Sequence, residues 1–203
     1  MKLKIWELSL FVALVVTILW GTLLDQQQQE LSARIIRLHV LAHSDDEIHQ
    51  ALKYQVRDEV QALVEPLLVG APDREAAEAE IAAHLDEIQS IAEQAVEITG
   101  VSLPVRAVLT RESSPTRAYE TFTLPAGLYT ALRIELGEAA GQNWWCVVFP
   151  PLCLDAAISE HTFEDLGLGD VEVSLLIGEG SGIALRFWAL EQIENLRAWL
   201  RQA

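Results

Sequence analysis

Residues 143–153 read NWWCVVFPPLC and hold two tryptophans, two prolines and both cysteines of the chain. The tryptophans lead into a short apolar run that is typical of a β-strand. Pro150 and Pro151 follow this run, and they predict that the strand ends there because proline has no N–H to donate to a sheet ladder. The segment is therefore predicted to form a rigid corner at the end of a strand.

The tandem tryptophans of this segment suggest a recognition surface. Successive side chains of a strand point to opposite faces, so one of Trp144 and Trp145 is expected to face the core and the other to face outward as an anchor for a partner. The alternative is that a layer of helices buries both rings. Tyr119 and Tyr129 are the other aromatic residues that we expect to take part in function.

The two cysteines, Cys146 and Cys153, are separated by six residues. In an exported protein such a pair favours an intrachain disulfide. Two alternatives stay open. One is a reactive thiol site, although the spacing is not Cys-x-x-Cys, and the other is a pair of buried free thiols.

The N-terminus has the pattern of an export signal. Lys2 and Lys4 precede an uncharged stretch from Leu8 to Leu24, which would span roughly 25 Å as a helix, just under the thickness of a bilayer core. Residues 1–25 are therefore predicted to be a signal peptide or an N-terminal membrane anchor, followed by a polar spacer at 26–33. No small-x-small cleavage pair follows the apolar stretch, which favours an uncleaved anchor or slow cleavage.

Composition predicts one acidic globular domain over residues 34–203. The chain has 203 residues, 51% of them hydrophobic, and a formal net charge of −16. A protein that binds nucleic acid needs clustered lysine and arginine to replace the counterions of phosphate, and no such cluster is present. The acidic surplus argues against a nucleic-acid partner and suits a soluble exported domain.

Residue patterns predict an α+β fold. A β-branched run at Ile35–Leu41 predicts a central strand, and Ser44–Glu47 predicts a capping box at the start of a helix that ends before Pro66. A second helix is expected from Asp73 to Thr99, where Gly100 would supply a left-handed stop. The apolar stripes expected to be buried on these two helices are Ile48, Leu52, Val56, Val60 and Leu63, and then Ala77, Ile81, Leu85, Ile88, Ala92 and Ala95.

The second half of the chain predicts further strands. Alternation at 103–110 and 128–136 indicates two half-buried strands, and the turn at 137–142 is expected to join the latter to Trp144–Phe149 as a hairpin. Another strand is expected at 171–177 and an amphipathic helix from Leu185. The expected domain is a four- to five-stranded, mostly antiparallel sheet with two long helices on one face and a C-terminal helix, preceded by the N-terminal signal or anchor helix.

The sequence carries no recognisable catalytic set. Three histidines (His39, His43 and His49) lie near Asp45 and Asp46, but their spacing matches no standard metal site, so no metal or cofactor is expected. Ser44 with His39 or His43 is better explained as a helix cap. Asp58 with Arg57 and Lys53 is better explained by ion pairing along a helix. A dense signature without catalytic residues indicates recognition, and no small-molecule substrate is expected.

Three blocks of sequence resemble the stage II sporulation protein R family. The first runs from Arg37 to Asp58, although His43 stands where we expect asparagine in the family. The second combines Tyr119 with Leu124–Tyr129 and Ala131–Arg133. The third is Gly141 with residues 143–153.

The resemblance implies a signalling protein without enzymatic activity. Such a protein is made in the forespore and exported into the space between the forespore and mother-cell membranes. There it acts on a membrane-embedded aspartic protease, which then processes the precursor of sigma factor E. The residues expected to contact this partner are Trp144, Trp145, Tyr119, Tyr129, Asn143, Lys53, Arg57, Asp58 and Asp45. The competing hypotheses are an exported thiol- or carboxylate-dependent envelope enzyme that uses Cys146 or Asp58, and an envelope-binding module.

We predict that deletion of residues 1–30 leaves a folded domain that does not signal in the cell, because these residues contribute to none of the predicted buried stripes and serve delivery alone. Fusion of the truncated chain to an unrelated export signal should restore signalling. Precursor cleavage in sporulating cells measures both effects. Normal signalling by a version retained in the cytoplasm would contradict the prediction of export.

Overall fold

The structure is a computed structural model that describes residues 9–13, 15–16, 29–119 and 122–151. The strands in these ranges are β1 (Ile36–Leu41), β2 (Val105–Ser114), β3 (Arg117–Ala118), β4 (Thr123–Leu124), β5 (Gly127–Leu136) and β6 (Asn143–Phe149). The helices are α1 (Glu47–Leu68), α2 (Arg74–Ala83) and α3 (Leu85–Ile98). The α+β class is confirmed, with a mixed sheet of four strands in this part of the chain.

Several predictions fall on other residues. Cys153, the strand at 171–177 and the helix from Leu185 lie outside the described residues, as does most of the N-terminal signal or anchor. Residues 9–13 and 15–16 are helical and exposed. In the described ranges no helix has both the length and the apolar character needed to cross a membrane.

The main sheet has the strand order β2-β5-β1-β6. The pairing of β1 with β5 is parallel, whereas β1 with β6 and β2 with β5 are antiparallel. All six residues of β1 are buried, because the strand lies between two others and is covered on both faces. Its apolar residues suit this position, whereas Arg37 and His39 are buried polar residues. The prediction of a central strand here is confirmed.

The predicted hairpin between β5 and β6 is wrong, because β1 lies between these two strands. The connecting loop, Gly137–Gln142, passes over the end of β1. There the Gly141 N–H donates to the Ala42 carbonyl (2.9 Å) and the Ala140 N–H donates to the His43 carbonyl (3.2 Å). A six-residue loop can reach across two strand spacings of about 4.8 Å each. The length and sequence of this loop are therefore compatible both with a β5–β6 hairpin and with a connection that crosses the end of β1.

Helix α1 covers one face of the sheet. Its buried residues include Leu52, Val56 and Val60, as predicted, but Ile48 is 66% exposed. The prediction for Ile48 is wrong because the buried stripe runs from Leu52 toward the other end of the helix. The predicted end before Pro66 is also wrong, since α1 continues to Leu68. Pro66 lies in the last turn, where it removes one helical hydrogen bond.

The start of α1 differs from the predicted capping box. The N-cap is Asp46, and its side chain makes no capping hydrogen bond. The Ser44 hydroxyl instead accepts the Asp46 N–H (3.2 Å) and donates to the Asp46 carboxylate (2.8 Å). The capping box is therefore wrong, and these short-range bonds form a turn ahead of the helix.

The predicted long second helix is two helices, α2 and α3, which are separated at His84 (φ −107°, ψ 14°). The His84 N–H is shared between the carbonyls of Glu80 and Ile81, both at 3.2 Å. No glycine or proline marks this break in the sequence. The predicted start is confirmed, because the Asp73 carboxylate accepts the Ala76 N–H (2.8 Å). Gly100 has the predicted positive φ, +74°.

The predicted stripe of the second helix is confirmed across both helices. Ala77, Ile81, Ile88, Ala92 and Ala95 are buried, and Leu85 packs against the core with part of its side chain exposed. This stripe, the buried face of α1 and the helix-facing side chains of the sheet form one apolar core. Burial of this continuous apolar surface is the main stabilising term of the domain.

The opposite face of the sheet is also covered. Tyr129 on β5 is fully buried, and its hydroxyl donates to the Pro125 carbonyl (2.7 Å). Burial raises the pKa of Tyr129. The unfolded chain therefore ionises this phenol at a lower pH than the folded chain does. The stabilising contribution of Tyr129 is present below a pH of about 10 and is lost as pH rises above that value.

We predict that Leu52→Ala lowers the free energy of unfolding by about 2–5 kcal/mol, because it opens a cavity in the core. Ile48→Ala, one helical turn earlier, should change it by less than about 0.5 kcal/mol because Ile48 is a surface residue. Urea unfolding of both variants measures the difference. Equal costs would contradict the burial pattern of α1.

We predict that Tyr129→Phe costs about 0.5–1.5 kcal/mol at pH 7, because the hydrogen bond to Pro125 is lost. At pH 11 the cost should be about 1.4 kcal/mol smaller, which brings it to zero or makes the variant the more stable protein, since the wild type is destabilised there by ionisation of the tyrosine in the unfolded state. Urea unfolding of the two proteins from pH 7 to pH 11 measures this change. A cost that does not change with pH would contradict it.

Candidate functional site

Trp144 and Trp145 lie on opposite faces of the sheet, as their alternation predicts. Trp144 contacts α1 on the helical face, and Trp145 stacks on His39 on the other face. Trp144 packs against the core, as expected for the inward tryptophan, but both rings are half-buried, so the two residues differ in face and not in their degree of burial. Each tryptophan is instead the centre of a separate cluster of aromatic and charged side chains.

The cluster on the face away from the helices surrounds Arg37, and we call it the Arg37 cluster. The Arg37 guanidinium lies over the rings of Trp145 (4.6 Å to the centroid) and Tyr129 (5.3 Å), which come from the strands on either side of β1. Its Nη2 donates to the Tyr119 hydroxyl at 3.3 Å. Together with His39, these four residues make up the cluster.

The buried guanidinium of Arg37 has fewer hydrogen-bond and ionic partners than a buried charge needs. Its side chain is fully buried, and neither Nε nor Nη1 has a hydrogen-bond partner among the described residues. Burial lowers the pKa of Arg37, and the two nearby tyrosines oppose this effect. Burial likewise raises the pKa of Tyr119. The guanidinium is therefore held by aromatic faces and one long hydrogen bond.

His39 joins this cluster to a pair of charged residues. Its Nδ1 lies 2.6 Å from the Glu112 carboxylate, and the Trp145 ring stacks on the imidazole with a centroid distance of 3.5 Å. Arg133 approaches the same carboxylate at 3.4 Å. Sequence reasoning missed Glu112 because the predicted strand ended at Thr110, whereas β2 continues to Ser114.

The cluster on the helical face is more open, and we call it the Arg57 patch; it comprises Tyr54, Arg57 and Trp144. The Arg57 guanidinium lies over the Trp144 ring (4.6 Å) and the Tyr54 ring (5.0 Å), and the two rings meet edge to face at 5.5 Å. Arg57 also pairs with Asp58 at 2.6 Å. Tyr54 is 41% exposed, so this surface is accessible to a partner.

Tyr54 is a further member of the candidate site that sequence reasoning missed. It lies three residues before Arg57 on α1, and residues at this spacing share one face of a helix. That spacing is the signal that could have identified it. Arg57, Asp58 and Trp144 were predicted to contact the partner, and the structure brings these three together.

Asp45 and Lys53 contact the loop at 137–142. The Asp45 carboxylate accepts the Gln142 N–H (2.7 Å), and the Lys53 ammonium donates to the Gln142 carbonyl (3.0 Å). Lys53 is only 2% exposed, and burial lowers its pKa. These two side chains thus hold the loop in place at the start of β6, where Asn143 is exposed.

The remaining predicted residues differ in their accessibility. Tyr119 is half-buried, with its hydroxyl 3.5 Å from the Trp145 carbonyl. Tyr129 is fully buried and out of reach of a partner in this structure. Cys146 is 5% exposed and belongs to the core, and its predicted disulfide partner, Cys153, lies outside the described residues.

The candidate catalytic groups are arranged differently from the expected pairs. The Ser44 hydroxyl lies 2.8 Å from His49 Nδ1, whereas His39 and His43 were the expected partners. Asp58 is 62% exposed and pairs with Arg57. In the described part of the chain, no three or more His, Cys, Asp or Glu side chains are grouped to hold a metal ion.

Comparisons with known proteins identify the family. The profile described as "Stage II sporulation protein R" matches residues 32–159. A protein named "Stage II sporulation protein R" from Bacillus subtilis (strain 168) is 36% identical over 129 residues, which cover 64% of this chain and 58% of that protein. No solved structure was found to match. The chain belongs to the stage II sporulation protein R family, whose name refers to sporulation and not to an enzymatic activity.

Proposed function

We propose that this chain is an exported sporulation signal that activates a membrane-embedded aspartic protease of the mother cell. The protease would then process the precursor of sigma factor E. The observation that carries the proposal is family membership across residues 32–159. The place of action would be the space between the forespore and mother-cell membranes, with residues 8–24 as an export signal or a forespore-membrane anchor.

The Arg57 patch is the part of the described surface best suited to this partner. It combines two aromatic rings with a guanidinium and a neighbouring carboxylate, and tyrosine, tryptophan and arginine are the residue types enriched in binding hot spots. Asp58 is 62% exposed and Tyr54 is 41% exposed. A partner could therefore bury both without unfolding the domain.

Activation by binding requires a difference in affinity between two states of the protease. If the Arg57 patch binds the active arrangement more tightly than the inactive one, the equilibrium shifts toward activity by that difference in free energy. This mechanism needs no chemical step on the signalling protein. It agrees with the position of Cys146, whose 5% exposure does not suit a nucleophile that must meet a substrate.

We predict that Tyr54→Ala and Arg57→Ala, made together, lower protease activation by about 30-fold or more, as loss of a hot spot does. The assay is co-expression of the exported chain, the protease and the sigma precursor in a host that does not sporulate, with precursor cleavage as the readout. The wild-type chain should trigger cleavage by itself.

The matched control is Gln55→Ala, because Gln55 is exposed on the same helix outside the patch. It should signal normally, and melting temperatures of all variants would show that the fold is retained. Full activation by the folded double variant would exclude the Arg57 patch from the interface. Absence of cleavage with the wild-type chain would count against the proposed function itself.

A further inference from the structure

We propose that the Arg37 cluster is a binding site for a carboxylate, supplied by an acidic residue of a partner protein. The inference starts from the chemistry of Arg37 and rests on the proposed function only in naming a protein as the source. It differs from the Arg57 patch in location, because the two clusters occupy opposite faces of the sheet.

The first argument is the missing counter-ion. Arg37 is fully buried, and a buried charge is stable when it is paired and its donors are satisfied. The groups that raise its pKa are two tyrosines, and no described carboxylate is among them. Two described acidic residues lie on this face, and both are engaged elsewhere: Glu112 contacts His39 and Arg133. Glu135 pairs with Arg133 and Arg106. In the part of the chain that the structure describes, the charge of Arg37 thus has no carboxylate partner, and an external carboxylate would supply one.

The second argument is a set of unused donors. Arg37 Nε and Nη1 and Trp145 Nε1 are all buried without a hydrogen-bond partner in the described part of the chain. Buried donors of this kind are rare in folded proteins, and one explanation is a ligand that is not bound. These three atoms are donors, and His39 Nε2, which also has no hydrogen-bond partner in the described part of the chain, donates or accepts according to its tautomer. The ligand that suits the three donors is an acceptor.

The third argument is shape. The rings that flank Arg37 come from β5 and β6, so the guanidinium lies in a slot between two aromatic side chains. A planar carboxylate can pair with a guanidinium in one plane and so fit between the two flanking rings. The oxygens of a tetrahedral phosphate project out of that plane, toward the rings. The geometry therefore favours a carboxylate over a phosphate.

Access to this slot depends on Tyr119. Its hydroxyl accepts a hydrogen bond from Arg37 at 3.3 Å and donates one to the Trp145 carbonyl at 3.5 Å, and both distances are long for bonds of this type. Tyr119 is half-buried and follows the exposed strand β3. Rotation of its side chain would release Nη2, and a carboxylate could then take over this hydrogen bond and make stronger, charge-assisted ones.

The test is titration of the purified full-length chain, with the side-chain Nε–H signals of its arginines followed by NMR. The probes are sodium acetate, the blocked peptide acetyl-Gly-Asp-Gly-amide, its Asn counterpart and inorganic phosphate. Acetate and the Asp peptide should shift the Arg37 signal in a saturable manner, with the peptide binding more tightly. The Asn peptide should bind about 10- to 100-fold more weakly than the Asp peptide, which reflects the loss of a hydrogen bond to a charged group.

Variants identify the site. Arg37→Gln lacks the Arg37 signal, so its titration follows the indole N–H signal of Trp145, which should no longer shift. Arg106→Gln should retain binding, because Arg106 is 71% exposed and pairs with Glu135 on the same sheet. Tyr119→Phe should bind acetate at least as tightly as the wild type, since it removes the competing hydroxyl. This last variant tests the proposal even if Arg37→Gln does not fold.

An unchanged Arg37 signal with both carboxylate probes, in the wild type and in Tyr119→Phe, would overturn the proposal. Equal affinity for phosphate would overturn the assignment to a carboxylate, and acetate binding that the Asp peptide does not exceed would overturn the protein source. The titration contains no protease. Its failure would therefore leave the proposed function untouched, and failure of the co-expression assay would leave this site untouched.

Discussion

β1 is buried along its whole length and is hydrogen-bonded to β5 on one side and to β6 on the other. Its alternate side chains therefore have to be accommodated in two different environments. Ile36, Leu38 and Val40 enter the apolar core with the helices. Arg37 and His39 point to the other face, where Arg37 lies against aromatic rings of β5 and β6 and His39 contacts the Glu112 carboxylate of β2. The polar chemistry of that face follows from this constraint.

The same constraint explains the tandem tryptophans. β6 pairs with β1 so that Val40 is opposite Trp144 and His39 is opposite Trp145. Trp144 therefore shares the helical face with the core residues of β1, and Trp145 shares the polar face with His39 and Arg37. A register shift of one residue would exchange the two rings between these environments. The indole on the polar face thus supplies a stacking surface for His39 and a cation–π contact for Arg37.

Much of this architecture could be predicted from sequence, because it depends on local periodicity. The central position of β1, the buried stripes of the helices and the opposite orientations of Trp144 and Trp145 all follow from spacing and composition. The insertion of β1 between β5 and β6 could not be predicted in this way, since strand order is decided by contacts between distant segments. The break at His84 has no glycine or proline signal, and Ile48 matches the helical period yet lies beyond the end of the buried face.

The candidate site could likewise be predicted in part from local sequence, and the rest of it needed the strand order. Trp144 was predicted from its place in the tandem tryptophans, whereas Arg57 and Asp58 lie in a block that resembles the family. Tyr54 follows from helix geometry once Arg57 is placed. The Arg37 cluster needed the topology, because its members come from β1, β5, β6 and the segment after β3.

β6 connects the two clusters, because Trp144 and Trp145 are consecutive residues of this strand. In the described part of the chain its only sheet neighbour is β1, and the loop before it is held by Asp45 and Lys53. The positions of both indoles are therefore fixed by the same strand pairing and the same loop contacts. The register of β6 on β1 thus determines the aromatic cover of Arg57 on one face and of Arg37 on the other.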